Sequence, residues 1–275
     1  MNVFTEPKID CHLHVIDPIR FPYNPEVAYK PSGQEVGTPA QLEQVMGVYG
    51  VTHALIVQPN SGYGSDNSCM LDTIARGNGR FKGIAIIGFD ATAADLRALQ
   101  AQGIVGAAFN PTFHGADYYK DAAPLVRKLA DAGMFVQWQT EHDQLLQVVS
   151  MIQDIPARVL IDHTGRPTVA RGVNQPAFQT LLKLADTGRV SVKLSGYAKF
   201  SQQTHPFADT RPFVDALVNA FTLENCMWAS DWPFLRATGR HDYGPLIALA
   251  AELFPDAKQR AQLFSGTAKR LFGFP

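Results

Sequence analysis

Two histidines near the start of the chain are spaced so that a single strand could carry both into one site. His12 and His14 lie in the segment IDCHLHVIDP. Side chains alternate between the two faces of a strand, so Asp10, His12 and His14 share one face, opposite Cys11 and Leu13. Imidazoles can transfer protons, hydrogen-bond a carbonyl oxygen or bind a divalent metal. The pair is therefore the first candidate for chemistry.

Further polar residues stand at the ends of other apolar segments. His163 follows VLID, Ser195 follows VKL, and Asp231 follows MWAS. A lone buried histidine is more often a structural residue, so each position taken singly is weak support for a site. If several of these segments end at the same face of a fold, however, two histidines from one segment would meet His163 and Asp231 from others. The fold class therefore decides whether these residues form one site.

Eight short apolar or β-branched segments predict strands, and amphipathic stretches between them predict helices. The predicted strands are Ile9–His14, Thr52–Val57, Lys82–Ile87, Ile104–Phe109, Met134–Thr140, Arg158–His163, Val190–Ser195 and Met227–Asp231. The predicted helices include Gln41–Val48, Ala93–Gln102, Asp121–Ala132 and Gln175–Thr187. The last three end at or just before Gly103, Gly133 and Gly188, and glycine is the usual residue after a helix end.

Strands that alternate with helices predict an α/β protein with a parallel sheet. Eight such units over residues 1–275 favour one domain, a single (β/α)8 TIM barrel, over an open doubly wound sheet. The glycine-rich motifs that bind nucleotides follow none of the predicted strands. In a (β/α)8 barrel the loops after the strands build the active face, so the irregular stretches 15–37 and 58–68 are expected to border the site.

Composition excludes several other classes of protein. The chain is 46% hydrophobic and 18% charged, which is typical of a globular protein and not of a disordered one. The formal net charge of -1, without a basic cluster, argues against a nucleic-acid partner. Apolar runs are too short for a membrane span, and the start of the chain lacks the pattern of a secretory signal. Three scattered cysteines predict reduced thiols and a cytoplasmic location.

The segments IDCHLHVIDP, IDHTGRP, VKLSG and MWASDWP, in this order, resemble the amidohydrolase superfamily. The likeness is greatest to its lactonase branch and extends over nearly the whole chain. It implies a distorted (β/α)8 barrel of amidohydrolase type and a catabolic hydrolase that opens a lactone ring. The residues that the resemblance assigns to catalysis are His12, His14, His163 and Asp231.

The resemblance leaves the role of a metal open. The superfamily pattern implies metal ligands at His12, His14, His163 and Asp231, with a further histidine on the fifth strand, where this chain has Gln139. The fourth strand lacks the Lys or Glu that can bridge two metals in relatives. We therefore favour hydrolysis without a metal, with Asp231 as general base and the three histidines polarising the lactone carbonyl. A single Zn or Mn ion held by the same four residues is the alternative.

Candidate substrate contacts follow from the same resemblance. Arg166 could bind a carboxylate through two hydrogen bonds. The other candidates offer hydroxyl, amide, imidazole or ammonium groups, and they are Tyr29, Tyr63, His114, Gln139, Ser195 and Lys199. Lactonases of this branch carry arginines where this chain has Ala108 and His114. The loss of these cations predicts a less anionic substrate than a dicarboxylated ring, such as a monocarboxylated or sugar-acid lactone.

Other functions remain compatible with these residues. A metal-dependent amidohydrolase or decarboxylase of a small carboxylic acid shares the two N-terminal histidines and the aspartate of the eighth strand. A lactone isomerase would use the same groups on the same class of substrate. A barrel that binds a ligand without catalysis is the third possibility. In each case the expected partner is a small lactone or carboxylate, and assembly into a homo-oligomer is possible.

Overall fold

The computed structural model of the chain describes residues 2–275. Its eight parallel strands follow one another in the sheet in chain order, which confirms the α/β class and the (β/α)8 barrel. The strands are β1 (Lys8–Leu13), β2 (Val51–Val57), β3 (Phe81–Ala85), β4 (Ile104–Phe109), β5 (Phe135–Trp138), β6 (Arg158–Ile161), β7 (Val190–Leu194) and β8 (Cys226–Trp228).

Helices separate the strands as the sequence predicts. They are α1 (Pro39–Val48), α2 (Ser68–Arg76), α3 (Ala93–Ala101), α4 (Pro111–His114), α5 (Ala123–Asp131), α6 (Gln144–Asp154), α7 (Pro176–Lys183), α8 (Arg211–Phe221), α9 (Tyr243–Leu253), α10 (Ala257–Ala261) and α11 (Thr267–Phe272). The first begins where the Thr38 side chain caps the Gln41 N–H and Pro39 occupies the first turn. The predicted helix 175–187 is shorter than expected, because its last turn, Leu184–Thr187, is a 3₁₀ helix that Gly188 ends with φ 68°.

The chain divides into two compact units by its internal contacts. The first, called here the terminal unit, comprises Met1–Ile86, Ala101–Ile104 and Met227–Pro275. The second, the middle unit, comprises Ile87–Gln100 and Val105–Cys226. Each has its own buried apolar residues, for example Leu55 and Phe264 in the terminal unit and Val136, Leu160 and Val192 in the middle unit. That residues 1–275 form one domain stays a prediction.

Several of the predicted strands end earlier in the structure than in the sequence analysis. His14, His163, Ser195 and Asp231 all lie beyond the last residue of their strands. The reason is local backbone geometry, because His163 and Asp231 adopt left-handed φ values of 52° and 64°, which no strand contains. The side chains of the candidate site therefore lie at strand-to-loop junctions, where their directions do not have to follow the alternation of a regular strand.

Cys11, Cys69 and Cys226 are buried and free, so a disulfide framework is absent from residues 2–275. Over the same residues, no helix combines the length and the apolar character that a membrane-spanning helix requires.

Candidate active site

Within the terminal unit, the structure brings together His12, His14 and Asp231. The Nε2 atoms of His12 and His14 lie 3.8 and 3.6 Å from the same oxygen, Oδ1 of Asp231. The two imidazole rings meet edge to face with their centroids 5.0 Å apart. All three residues are buried, with 0%, 8% and 4% of their surface exposed. Two histidines that are two positions apart in the sequence thus lie beside one carboxylate more than two hundred residues away.

Hydrogen bonding identifies the tautomer of His14. Its Nδ1 lies 2.8 Å from the carbonyl oxygen of Val57, which can only accept, so Nδ1 carries the proton. In the neutral imidazole, Nε2 then presents a lone pair toward the Asp231 carboxylate oxygen. Two acceptors 3.6 Å apart do not attract one another. A proton on Nε2, or a divalent cation bound by both atoms, would make this contact attractive. The donor set of His12, His14 and Asp231 suits either.

A buried carboxylate, Asp10, fixes the spacing between the two elements that carry this group. Its Oδ1 accepts the backbone N–H of His12 at 3.2 Å and that of Ser230 at 3.0 Å, and its Oδ2 accepts the Tyr243 hydroxyl at 2.7 Å. Burial raises the pKa of the Asp10 carboxyl, while these hydrogen bonds act in the opposite direction. One side chain therefore ties His12 to the residue immediately before Asp231.

The loop after β8 also lies directly against the loop after β1. The His14 N–H donates to the Trp232 carbonyl at 2.8 Å, and the Asp231 N–H donates to the His12 carbonyl at 2.8 Å. A methyl group added at Gly37 would lie 2.5 Å from the Trp232 ring, so only glycine fits there. We call this contact between residues 12–38 and 229–242 the loop clasp. It holds the histidine pair and Asp231 in one place.

Within the middle unit, His163 contacts Ser195, another residue predicted to belong to the site. The His163 Nδ1 lies 3.1 Å from the Ser195 hydroxyl, and both residues are 1% exposed. Gly196, the next residue, has φ 65°, and a methyl group built on it would lie 2.6 Å from both Cβ and Cγ of His163. The segment VKLSG therefore needs glycine at its end because the His163 ring occupies the space that a side chain would take.

Gly196→Ala is accordingly expected to destabilise the protein more than a comparable glycine substitution elsewhere. Gly188→Ala is the matched control, since Gly188 has φ 68° but no neighbour within 4 Å of the added methyl group. Both changes carry the left-handed backbone cost of about 1–2 kcal/mol. Displacing His163 should add about 1–2 kcal/mol in Gly196→Ala alone. Urea unfolding of the two variants measures the difference, and equal losses would contradict the close packing of Gly196 on His163.

A second group in the middle unit is formed by Gln137, Asp162 and Lys193, which β5, β6 and β7 bring together. The Lys193 ammonium lies 3.0 Å from Oδ1 of Asp162 and 2.5 Å from the Gln137 amide oxygen. The Gln137 amide donates in turn to Oδ2 of Asp162 at 2.8 Å. Both charged side chains are almost fully buried, at 0% and 1% exposed. Asp162 directly precedes His163, so this ion pair supports the backbone from which that imidazole projects.

The remaining predicted substrate contacts of the middle unit lie in its strand-to-loop regions. Arg166 forms an ion pair with Glu141 at 2.7 Å, so its charge is already compensated. His114 is exposed and stacks on Tyr118 with ring centroids 4.5 Å apart. Gln139 follows β5 and Lys199 ends a 3₁₀ turn, both partly exposed. Substrate contact by these four residues stays a prediction.

Tyr29 and Tyr63 use their hydroxyl groups inside the terminal unit. The Tyr63 side chain is 1% exposed, and its hydroxyl oxygen accepts the Asp17 N–H at 2.9 Å. The Tyr29 hydroxyl donates to Oε2 of the buried Glu35 at 2.6 Å. The structure therefore places both tyrosines as supports of the loop after β1, and substrate contact by either hydroxyl stays a prediction.

The residues that hold these groups in place were not predicted from the sequence. Asp162, Glu35 and Tyr243 did not stand out, although Asp10 was placed on the same strand face as the histidines. A partial signal existed for Asp162, since a carboxylate immediately before His163 and a lysine inside an apolar strand each require an opposite charge when buried. Nothing in the local sequence around Glu35 or Tyr243 reveals contacts with residues about two hundred positions away.

Comparison with known families and proteins shows what the chain as a whole is similar to. Residues 9–274 match a family model described as Amidohydrolase. The chain is 30% identical to a 4-sulfomuconolactone hydrolase of Rhizobium radiobacter, covering 96% of this chain and 89% of that protein. It is 28% identical to the 4-sulfomuconolactone hydrolase of Hydrogenophaga intermedia over 96% and 88% of the two chains.

A solved structure is similar over the same extent. It is a probable 2-pyrone-4,6-dicarboxylic acid hydrolase from Acinetobacter baumannii, crystallised with citric acid bound. Its TM-score to this chain is 0.87 at 25% sequence identity, and the superposition covers 98% of this chain and 100% of that one. The arrangement of strands and helices described above is therefore shared with a protein of known structure.

Proposed function

Because the chain belongs to the amidohydrolase family, we propose that it is a lactonase that opens the ring of a small carboxylated or sugar-acid lactone by hydrolysis. The observation that carries the proposal is the buried carboxylate of Asp231 within 4 Å of two imidazoles. Relatives at 28% and 30% identity are named hydrolases of a lactone, which supports the same reaction class.

In this proposal Asp231 is the general base. Its carboxylate takes a proton from water as the water oxygen attacks the lactone carbonyl carbon. The ring C–O bond then breaks, and the proton passes from Asp231 to the leaving oxygen. The loop clasp supports this role, because it fixes the Asp231 backbone through the His12 carbonyl and leaves the carboxylate directed at the imidazoles.

His12 and His14 stabilise the oxyanion that develops on the carbonyl oxygen. When protonated at Nε2, His14 donates there while its Nδ1 remains bound to the Val57 carbonyl. We assign His163 to the same task because it follows β6, and catalytic residues in (β/α)8 barrels come from the carboxyl ends of several strands. Ser195, bonded to the other nitrogen of His163, would orient that ring.

The same residues fit one divalent metal ion. Two imidazoles and one carboxylate, with ligand atoms within 4.8 Å of one another, match the donor set of a mononuclear site. His12, His14 and Asp231 would hold the ion, with His163 as the further ligand implied by the sequence. When bound, such an ion polarises a carbonyl as a Lewis acid. Reaction without a metal remains our preferred interpretation, and Zn or Mn is the alternative.

The substrate class is inferred from the charges of the residues that the sequence resemblance assigns to substrate binding. The sequence resemblance implies arginines at the positions that Ala108 and His114 occupy here, and Glu141 compensates the charge of Arg166. A ring with two carboxylates would leave at least one of them without a cationic partner, which costs about 1.5–3 kcal/mol. We therefore propose a monocarboxylated or sugar-acid lactone in preference to a pyrone dicarboxylate.

A panel of lactones tests the proposed function. Proton release is followed at pH 8 for neutral, monocarboxylated, sugar-acid and dicarboxylated ring lactones, with protein as purified, after chelation, and after adding back Zn or Mn. Ring opening of a monocarboxylated or sugar-acid lactone, faster than that of a pyrone dicarboxylate, is the expected result. Activity that survives chelation supports the metal-free route, and activity restored only by a metal selects the alternative. No ring opening under any condition would refute the proposed function.

A further inference from the structure

The loop after β8 contains, besides Asp231, an exposed arginine that the mechanism above does not use. Arg236 belongs to the loop clasp and lies five positions beyond Asp231 in the segment DWPFLR. Asp231, Phe234 and Arg236 all have left-handed φ values, of 64°, 69° and 56°. Residues other than glycine seldom adopt this backbone conformation. Such strain is concentrated where a protein holds functional groups. The backbone of this segment therefore adopts one specific conformation.

A buried carboxylate, that of Glu35, holds the backbone of Arg236 in this conformation. The Arg236 backbone N–H donates to Oε1 of Glu35, whose Oε2 accepts the Tyr29 hydroxyl at 2.6 Å. Glu35 is 9% exposed, so its two oxygens are committed to these donors in a largely dry environment. Its charge does not pair with the Arg236 guanidinium. Glu35 therefore positions Arg236 without neutralising the side chain.

The Arg236 guanidinium lies over the ring of Tyr29, 5.5 Å from the ring centroid. This distance falls within the range of cation–π contacts, which hold a guanidinium in place while leaving its N–H donors available. Over residues 2–275, Arg236 forms no ion pair with a carboxylate. Arg166, the arginine expected to bind substrate, differs in this respect because Glu141 already pairs with it at 2.7 Å.

We propose that Arg236, supported by the Tyr29 ring, binds the carboxylate of the lactone substrate and determines the preference for an anionic ring. The inference rests on the proposed lactonase function and names the group that selects its substrate. The loops that carry His14 and Asp231 are the same two loops that carry Tyr29 and Arg236. An arginine suits this task because its planar guanidinium can form two parallel hydrogen bonds to one carboxylate.

The test compares a carboxylated lactone with its neutral counterpart. Tetrahydro-6-oxopyran-2-carboxylate and δ-valerolactone share a ring and differ in the carboxylate. Arg236→Gln should raise KM for the carboxylated ring about tenfold or more, with kcat little changed and both constants for the neutral ring unaffected. Arg236→Lys, which keeps the charge but not the planar fork, should recover part of the loss.

Arg240→Gln is the matched control, because Arg240 lies in the same loop, is exposed and pairs with Asp242 at 2.9 Å. It should leave both substrates unaffected. Equal losses of Arg236→Gln on the charged and neutral rings, or no loss on either, would overturn the proposal.

A binding measurement separates this proposal from the proposed function. Tetrahydropyran-2-carboxylate carries the same ring carboxylate but has no ester bond to hydrolyse. Calorimetry should show binding to the wild-type chain that weakens about tenfold in Arg236→Gln and not in Arg240→Gln. This result would uphold the role of Arg236 even if no lactone were turned over. Absence of binding to the wild-type chain, or equal binding to Arg236→Gln, would refute it.

Discussion

Asp231→Asn is expected to lower kcat for lactone hydrolysis by about 10²- to 10⁴-fold, because an amide cannot take the proton of the attacking water. Asparagine is the appropriate replacement at this position. It has nearly the shape of aspartate, and it tolerates the left-handed backbone that Asp231 adopts at φ 64° better than most residues. The loop clasp should therefore survive, and KM should change much less than kcat. Steady-state kinetics on the best lactone of the panel measures both constants.

The control for this variant is Asp242→Asn. Asp242 also lies in the loop clasp, but it is exposed and pairs with Arg240, so its substitution should leave kcat unchanged. Urea unfolding of both variants establishes that any loss arises from chemistry and not from misfolding. A well-folded Asp231→Asn protein with wild-type turnover would exclude Asp231 as the general base.

Lys193→Met should destabilise the chain by about 3–5 kcal/mol, the cost of removing one partner from a buried ion pair. The Lys193 ammonium and the Asp162 carboxylate lie 3.0 Å apart and are 0% and 1% exposed. Methionine fills a similar volume but leaves the Asp162 charge without this cation in a medium of low polarity. Urea unfolding at pH 7 measures the change in the free energy of unfolding.

Arg171→Met provides the comparison for Lys193→Met. Arg171 pairs with Asp143 at 2.7 Å, a shorter distance, but these side chains are 41% and 45% exposed. Exposed ion pairs contribute about 0–1 kcal/mol, so this variant should be close to wild type. The double variant Lys193→Met with Asp162→Asn should regain part of the lost stability, because it removes the buried carboxylate charge as well. Equal effects of Lys193→Met and Arg171→Met would contradict the assignment of a buried pair.

The fold could be predicted from the sequence because its elements repeat a regular pattern. Apolar strands such as Val190–Leu194 are too short and too β-branched to be helices, and glycines such as Gly188 end the preceding helical segments. Eight repeats of this pattern identify the barrel. Several strand ends were predicted too late in the sequence. Residues such as His163 leave the sheet through a left-handed backbone conformation, which the type of side chain does not indicate.

The candidate site could be predicted in part. Residue type and strand-end position identified His12, His14 and Asp231, and the structure places these three together. The supporting contacts could not be found in this way. The Asp10 carboxylate reaches Ser230 in the loop after β8 and Tyr243 on α9, whereas Lys193 reaches Asp162 through the register of the neighbouring strands β7 and β6. Register depends on packing between distant segments, so a single sequence does not determine it.

The loop clasp has a consequence for the biosynthesis of the protein. The histidine pair is synthesised before Asp231 and Trp232, and more than two hundred residues separate the two segments. Contacts between segments so far apart form late in folding, because a long loop must close first. A nascent or truncated chain that lacks the last strand would carry the imidazoles without their carboxylate. In the proposed mechanism, such a chain would have no general base and would not turn over lactone.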